Sequence, residues 1–203
     1  MMKKLTVIVL GLLLATPIMA EEVNRSLDAA SDGRVHISNI AGSVTVNGWS
    51  RDQVEVTGEL GRNVEELIFE RDGDKITIKV KVPKKGGRGI ESDLYIQLPQ
   101  GSSIDVSTVS ADIEVKQVSG EQSLGTVSGD IDTESAKSDI SAEAVSGDIE
   151  VRGQDGATNT RANTVSGDVI LTGVAGVADT ESVSGEVTVV DGSFERIDMN
   201  TVN

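Results

Sequence analysis

Val127-Ser128-Gly129-Asp130-Ile131, Val145-Ser146-Gly147-Asp148-Ile149, Val165-Ser166-Gly167-Asp168-Val169 and Val183-Ser184-Gly185-Glu186-Val187 repeat one phrase, and their spacing decides the architecture. The first valines lie 18, 20 and 18 residues apart. Val109-Ser110-Ala111-Asp112-Ile113 extends the series by 18 residues upstream, and Val118-Ser119-Gly120-Glu121 falls halfway to the next copy. Ala136-Lys137-Ser138-Asp139-Ile140 and Val174-Ala175-Gly176-Val177-Ala178 are weaker copies inside the longer gaps. The unit is therefore about nine residues, and two units make the stronger period.

Between the phrases, Ile131 and Thr133, Ile140 and Ala142, Ile149 and Val151, Val169 and Leu171, and Val187 and Val189 each sit two apart. That spacing places both side chains on one face of a strand. A third apolar residue follows at Ala136, Val145 and Val174 and is read as part of the same buried set. Ser-Gly-Asp is turn chemistry, with glycine expected to supply positive φ and short polar side chains to bond nearby backbone. A nine-residue strand-plus-corner cannot bury its own apolar side, but stacked copies about 4.8 Å apart bury a continuous thin column. The expected fold is all-β: a single-stranded parallel β-solenoid with rungs of 18–20 residues. Collagen-like and helical repeats need periods near three or 3.6. The calcium-roll nonapeptide needs G-G-x-G-x-D, whereas this unit carries one glycine and one acid. An up-and-down barrel does not call for such regular identity between units.

Composition agrees with a narrow interior. Only 2% of the 203 residues are aromatic, against 37% hydrophobic, 25% charged and 22 glycines. The absence of cysteine excludes disulfides, thiolate metal sites and a cysteine nucleophile, and the single histidine, His36, argues against a histidine metal cluster or triad. Lys3 and Lys4, the apolar run Leu5 to Leu14 and Thr16-Pro17-Ile18-Met19-Ala20 read as a cleaved secretory signal over residues 1–20. Its removal leaves 16 bases against 33 acids, a net charge of −17. Such a chain repels nucleic acid and anionic membrane surfaces and favours cationic partners. An exported product, periplasmic or at the cell surface, is expected, without membrane insertion of the mature chain.

The amino-terminal half echoes the period. Val35, Ile37 and Ile40 are followed nine residues later by Val44, Val46 and Trp49, with Ala41-Gly42-Ser43 at the corner. Residues 66–70 and 75–82 flank Asp72-Gly73-Asp74, a hairpin signal. Residues 83–89 form a glycine-rich loop, and residues 93–98 another alternating strand. Residues 21–108 are expected to form an N-terminal β region that caps the column, continuous with regular repeats over residues 109–203.

Ile40-Ala41-Gly42-Ser43-Val44, Gly48-Trp49, Leu98-Pro99-Gln100-Gly101 and the tandem Thr-Val-Ser-Gly-Asp-Ile phrases resemble a family of exported bacterial proteins, the "putative adhesin" β-repeat domain of unknown function. The resemblance covers nearly all of the mature chain. It implies a β-solenoid, an extracytoplasmic location and no established catalytic activity. Val202 falls nineteen residues after Val183, so the last rung is expected to be open, or else the chain is cut short at Asn203.

In this architecture Asp112, Asp130, Asp148, Asp168 and Glu186 stack on one edge, with Glu121 and Asp139 on the other. Carboxylates about 4.8 Å apart repel by roughly 1 kcal/mol in water and more beside a low-dielectric wall. The expected offset is hydrogen bonding from corner N–H groups or serines; the alternative is a row of calcium ions held by oxygen ligands. No cofactor is otherwise implied. Gly129, Gly147, Gly167 and Gly185 are structural corner residues. Ser128, Ser146, Ser166 and Ser184 are expected to form a hydrogen-bonding row without a histidine to activate them. Trp49 and Tyr95 are expected to pack at the capping end, with sugar stacking as the alternative. Lys84, Lys85 and Arg88 read as a solvated basic loop, and His36 is expected to point outward. These features point to a non-catalytic, adhesin-like interaction module of the cell envelope with a surface protein or glycan as partner. The rivals are a polysaccharide-active β-helix enzyme and a scaffold assembling end to end.

Overall fold

Alternating in-and-out burial runs through the chain, and it yields sixteen strands and no helix among the described residues. The computed structural model describes residues 21–84, 87–154 and 157–202; the signal-like residues 1–20, and Lys85 of the basic loop, lie outside these. All sixteen strands belong to one hydrogen-bonded sheet, which folds back on itself as two parallel ladders in a β-solenoid-like arrangement.

The first ladder contains β8 (Gln122–Ser128), β10 (Ile140–Ser146), β12 (Ala157–Ser166), β14 (Ala175–Ser184) and β16 (Ser193–Thr201), each parallel to the next. The second contains β9 (Ile131–Ser135), β11 (Ile149–Gly153), β13 (Val169–Thr172) and β15 (Val187–Val190), also parallel. Ile140 lies opposite Gln122 and Thr160, and Ile149 lies opposite Ile131 and Val169. These offsets of 18 and 20 residues are the sequence period, so each repeat supplies one strand, or rung edge, to each ladder. The far edges of β15 and β16 carry no further strand among the described residues.

The amino-terminal strands continue both ladders in an order the sequence does not announce. β7 (Ser103–Lys116) spans both, pairing with β8 through Ile104 and with β9 through Ile113. Against its other edge lies β2 (Arg34–Trp49), in register from Arg34 opposite Ser103 to Asn47 opposite Lys116. The first part of β2 pairs with β5 (Lys75–Lys81) and the second with β6 (Ser92–Pro99), again parallel. Antiparallel strands then finish the end: β4 (Glu66–Asp72) on β5, β3 (Gln53–Leu60) on β6, and β1 (Glu21–Asp28) on β3. The chain thus lays down β2, builds the end beyond it, and returns to place β7 on its free side. The expected boundary between residues 108 and 109 falls inside β7. Gly73, at φ +60, makes the β4–β5 turn between Asp72 and Asp74.

The interior is a set of stacked columns. Ile113, Ile131, Ile149 and Val169 form one, and Val115, Thr133, Val151 and Leu171 form the next, all essentially buried. Val106, Leu124, Ala142, Ala162 and Thr180 face them from the other ladder. Burying each large aliphatic side chain stabilises the fold by about 1.5–3 kcal/mol. Gln122 interrupts its column between Ile104 and Ile140, and its amide ties the ladders together. Thr133 Oγ1 donates to Gln122 Oε1 at 2.6 Å, and Gln122 Nε2 donates to the Glu134 carbonyl at 2.9 Å. Both ends of this buried amide are therefore satisfied, as burial requires.

The third apolar position does not always point inward: Val118 and Val174 are buried, but Val127, Val145, Val165 and Val183 are 37–47% exposed. The preceding residues, Thr126, Ala144, Thr164 and Ser182, take the inward place instead. Thr164 Oγ1 and Ser182 Oγ donate to the corner carbonyls of Gly147 and Gly167 at 3.1 and 2.9 Å. The valine and serine that follow then both face solvent before the corner, so the two nine-residue units differ. Val187 is only half-buried, because no strand covers β15 beyond it.

Of the four corner glycines only Gly167, at φ +157, has the positive φ expected. Gly129, Gly147 and Gly185 do not adopt left-handed backbone. Their need is room: a Cβ on Gly147 would lie 1.9 Å from the Gly129 carbonyl oxygen, and one on Gly185 would lie 1.9 Å from that of Gly167. On Gly129 and Gly167 the corresponding distances are 2.4 Å to Ala111 and 2.1 Å to Gly147. Each corner rests directly on the backbone of the corner before it.

Candidate functional site

The outward turn of one valine per rung produces the chain's most regular exposed feature. Val109, Val127, Val145, Val165 and Val183 line up across β7, β8, β10, β12 and β14, and Val202 follows just beyond β16. Strand spacing sets neighbouring valines about 4.8 Å apart. Val127, Val145, Val165 and Val183, with Thr126, Ala144 and Thr164, line a shallow groove of about 630 Å³. Isolated exposed aliphatics are ordinary, but a contiguous row is characteristic of contact surfaces.

Carboxylates flank the row on both sides. Glu143 and Glu181 lie on the adjoining outward positions of β10 and β14, with Asn163 opposite both. Past the serines runs the corner row of Asp112, Asp130, Asp148, Asp168 and Glu186, all exposed. Each aspartate accepts a hydrogen bond from the backbone N–H of the acid one rung on: Asp130 to Asp112 Oδ1 at 3.0 Å, Asp148 to Asp130 Oδ1 at 2.9 Å, and Asp168 to Asp148 Oδ1 and Glu186 to Asp168 Oδ1 at 2.8 Å each. These charge-assisted bonds counter the repulsion within the row. No three His, Asp or Glu side chains converge as a metal set among the described residues. On the opposite edge Asp139 Oδ1 accepts from the backbone and side-chain nitrogens of Asn159, at 3.3 and 3.0 Å.

The other sequence-selected residues fall elsewhere. Ser128, Ser146, Ser166 and Ser184 are exposed and in register, and the bonds between their rungs run through backbone. The carbonyls of Ser146, Ser166 and Ser184 accept from Gly129, Gly147 and Gly167. His36 is half-buried on β2, and its Nδ1 lies 3.2 Å from Asp105 Oδ2 on β7. Lys84 and Arg88 are exposed. On the outer face of the second ladder, Arg152 grips Asp132 with two bonds of 2.8 and 2.7 Å and reaches Glu150 at 2.9 Å, and these hydrogen bonds raise its already high pKa further. Lys116 is raised likewise by its contact with Glu114.

Trp49 and Tyr95, 46 residues apart in sequence, are brought into a single cleft with Asn47, Gln97, Gln100 and Gln117. The parallel pairing of β2 with β6 does this, since it sets Asn47 opposite Gln97 and Thr45 opposite Tyr95. Tyr95 is 41% exposed rather than packed away, and Asn47 Nδ2 donates to its hydroxyl at 2.8 Å.

The model of the Toastrack DUF4097 family matches residues 33–202, which takes in every strand from β2 to β16. The chain belongs to the Toastrack DUF4097 family. Among solved structures, this Toastrack chain is similar to a "putative cell adhesion protein" from Clostridium sporogenes at 12% identity and TM-score 0.45, over 90% of this chain and 100% of that one. It is also similar to a "putative adhesin" from Bacteroides fragilis, at 12% identity and TM-score 0.36 over 89% and 97% of the two chains. A third similar structure is a "putative lipid binding protein" from Parabacteroides distasonis, at 12% identity and TM-score 0.30 over 90% and 97%. No curated protein matches the chain. No helix among the described residues of this Toastrack chain is long and apolar enough to cross a membrane.

Proposed function

We propose that the chain is an exported, non-catalytic interaction module of the cell envelope, and that its valine row receives an extended protein segment bearing aliphatic and basic side chains. On this reading the strands form a single-stranded parallel β-solenoid of 18–20-residue rungs, closed at one end by β1, β3 and β4. The observation that carries the proposal is one exposed valine per rung, in register and bordered by Glu143, Glu181 and the corner carboxylates. Aliphatic contact supplies the attraction, and the acidic borders select basic partners and speed their arrival. A second copy of the same chain would bring like charge against like. The export reading rests on the signal-like first twenty residues. The non-catalytic reading rests on serine rows with no imidazole beside them: the single histidine is committed to Asp105 on another strand pair.

Calorimetric titration with an alternating valine–lysine peptide tests this. Binding is expected to weaken as salt rises and to fall at least tenfold in the Val127→Ser/Val145→Ser/Val165→Ser triple variant. Equal binding of a valine–glutamate peptide, or undiminished binding by the triple variant, would contradict the assignment.

A further inference from the structure

The cleft holding Trp49 and Tyr95 uses residues that the valine row does not touch. It measures about 530 Å³, within the range of small-ligand sites. Two of the chain's four aromatic residues and four of its six glutamines line it: Trp49, Tyr95, Gln97, Gln100, Gln117 and Gln154. Gln97 on β6, Asn47 on β2 and Lys116 on β7 form a row across three strands, each the register neighbour of the last, and Glu134 on β9 lies next along the same cleft. From one end to the other, hydrogen-bonding side chains repeat at the strand spacing of about 4.8 Å.

The walls are fixed before any ligand arrives. Gln100 N–H donates to the Trp49 carbonyl at 3.0 Å, and Ser119 donates from both N–H and Oγ to the Gln100 carbonyl, at 2.7 and 2.9 Å. Trp49 Nε1 donates to the Gln53 carbonyl at 2.8 Å, and the Arg51 guanidinium lies 4.7 Å from the indole centre. Gln117 N–H donates to Glu134 Oε2 at 3.2 Å. Gln117 also has φ +58, one of two non-glycine residues with positive φ among those described. Gly48 is what admits this corner, since a Cβ there would stand 1.9 Å from the Gln117 carbonyl oxygen. Backbone held in this region is costly and gathers at ligand sites.

The chemistry of the lining names the ligand class. A primary amide offers a donor and an acceptor side by side, matching the paired donor and acceptor capacity of adjacent sugar hydroxyls. An exposed tyrosine ring offers a flat apolar surface to the C–H face of a pyranose. The two charged residues that line the cleft, Lys116 and Glu134, are opposite in sign, and Lys116 already contacts Glu114. The strongly acidic chain disfavours anionic polymers. We propose that this cleft is a binding site for an uncharged glycan chain, laid along the Gln97–Asn47–Lys116 row with Tyr95 as its stacking platform.

Trp49 is the only tryptophan, so intrinsic fluorescence reports on the cleft without a label. The purified chain is screened on an array of uncharged hexose and N-acetylhexosamine oligomers beside sulfated and uronate oligomers. The best binders are then titrated by fluorescence and calorimetry. The expected result is saturable binding of an uncharged oligomer that is at least tenfold weaker in both Tyr95→Ala and Gln97→Ala, and unchanged in Val145→Ser. Both substitutions replace side chains that are not buried, and circular dichroism checks that the variants fold. Absence of binding to every uncharged oligomer, binding confined to anionic ones, or unaltered affinity in folded Tyr95→Ala and Gln97→Ala would overturn the proposal. Since the peptide titration reads the valine row, the two assignments fail separately.

Discussion

Gly147→Ala is expected to lower the free energy of unfolding by about 3 kcal/mol, the upper end of what overpacking usually costs. The added methyl would meet the Gly129 carbonyl at 1.9 Å, and the obstacle is backbone, which cannot swing aside as a side chain can. Relief requires the two rungs to separate at the corner. That would stretch the bond from Gly129 N–H to the Ser146 carbonyl, now 3.3 Å, and the bond from Asp148 N–H to Asp130 Oδ1. In a stacked architecture such damage acts through the interface between neighbours, so unfolding is expected to begin at this point. Gly125→Ala is the matched control. A Cβ there meets only the Val106 carbonyl, at 4.0 Å, and loss of glycine freedom in the unfolded chain should leave stability level or raised by about 0.5 kcal/mol. Urea unfolding followed by circular dichroism reads both variants. Equal midpoints for the two would refute the crowded-corner account.

The second large effect separates inward from outward positions within one repeat. Ile149→Ala removes a fully buried side chain held between Ile131 and Val169 and should cost about 2–5 kcal/mol. Val145→Ser, four residues earlier, removes a side chain that is 47% exposed and should shift stability by no more than about 0.5 kcal/mol. Comparable losses at both positions would mean that the valine is structural after all.

How legible this was in the sequence differs from residue to residue. The period-two pairs, such as Ile149 with Val151 and Val169 with Leu171, are visible because burial on one face forces alternation. The hairpin at Asp72-Gly73-Asp74 is visible because turn chemistry is local. The outward valines were open to the same reasoning. Counting by two through Ile140, Ala142 and Ala144, or Thr160, Ala162 and Thr164, leaves Val145 and Val165 on the outer face. Grouping by hydrophobicity concealed this, since Thr160 and Thr164 look polar and yet are buried. The crowding at Gly129, Gly147, Gly167 and Gly185 comes from a carbonyl eighteen or twenty residues away, which only the stacked fold brings near. Three-dimensional order hid the cleft entirely. β2 pairs with β6 on one edge and β7 on the other, and nothing local in Asn47, Trp49, Tyr95 or Gln117 signals that they meet.

Each repeat turns the valine before its corner outward and the isoleucine or valine after it inward. Because the chain has no cysteine, single substitutions can be read by thiol labelling of the folded protein without background. Cysteines replacing Val127, Val145, Val165 and Val183 are expected to react at nearly the rate of a free thiol, while those replacing Ile131, Ile149 and Val169 react only as fast as the protein unfolds. Slow labelling along the valine row, or fast labelling along the isoleucine column, would contradict the account.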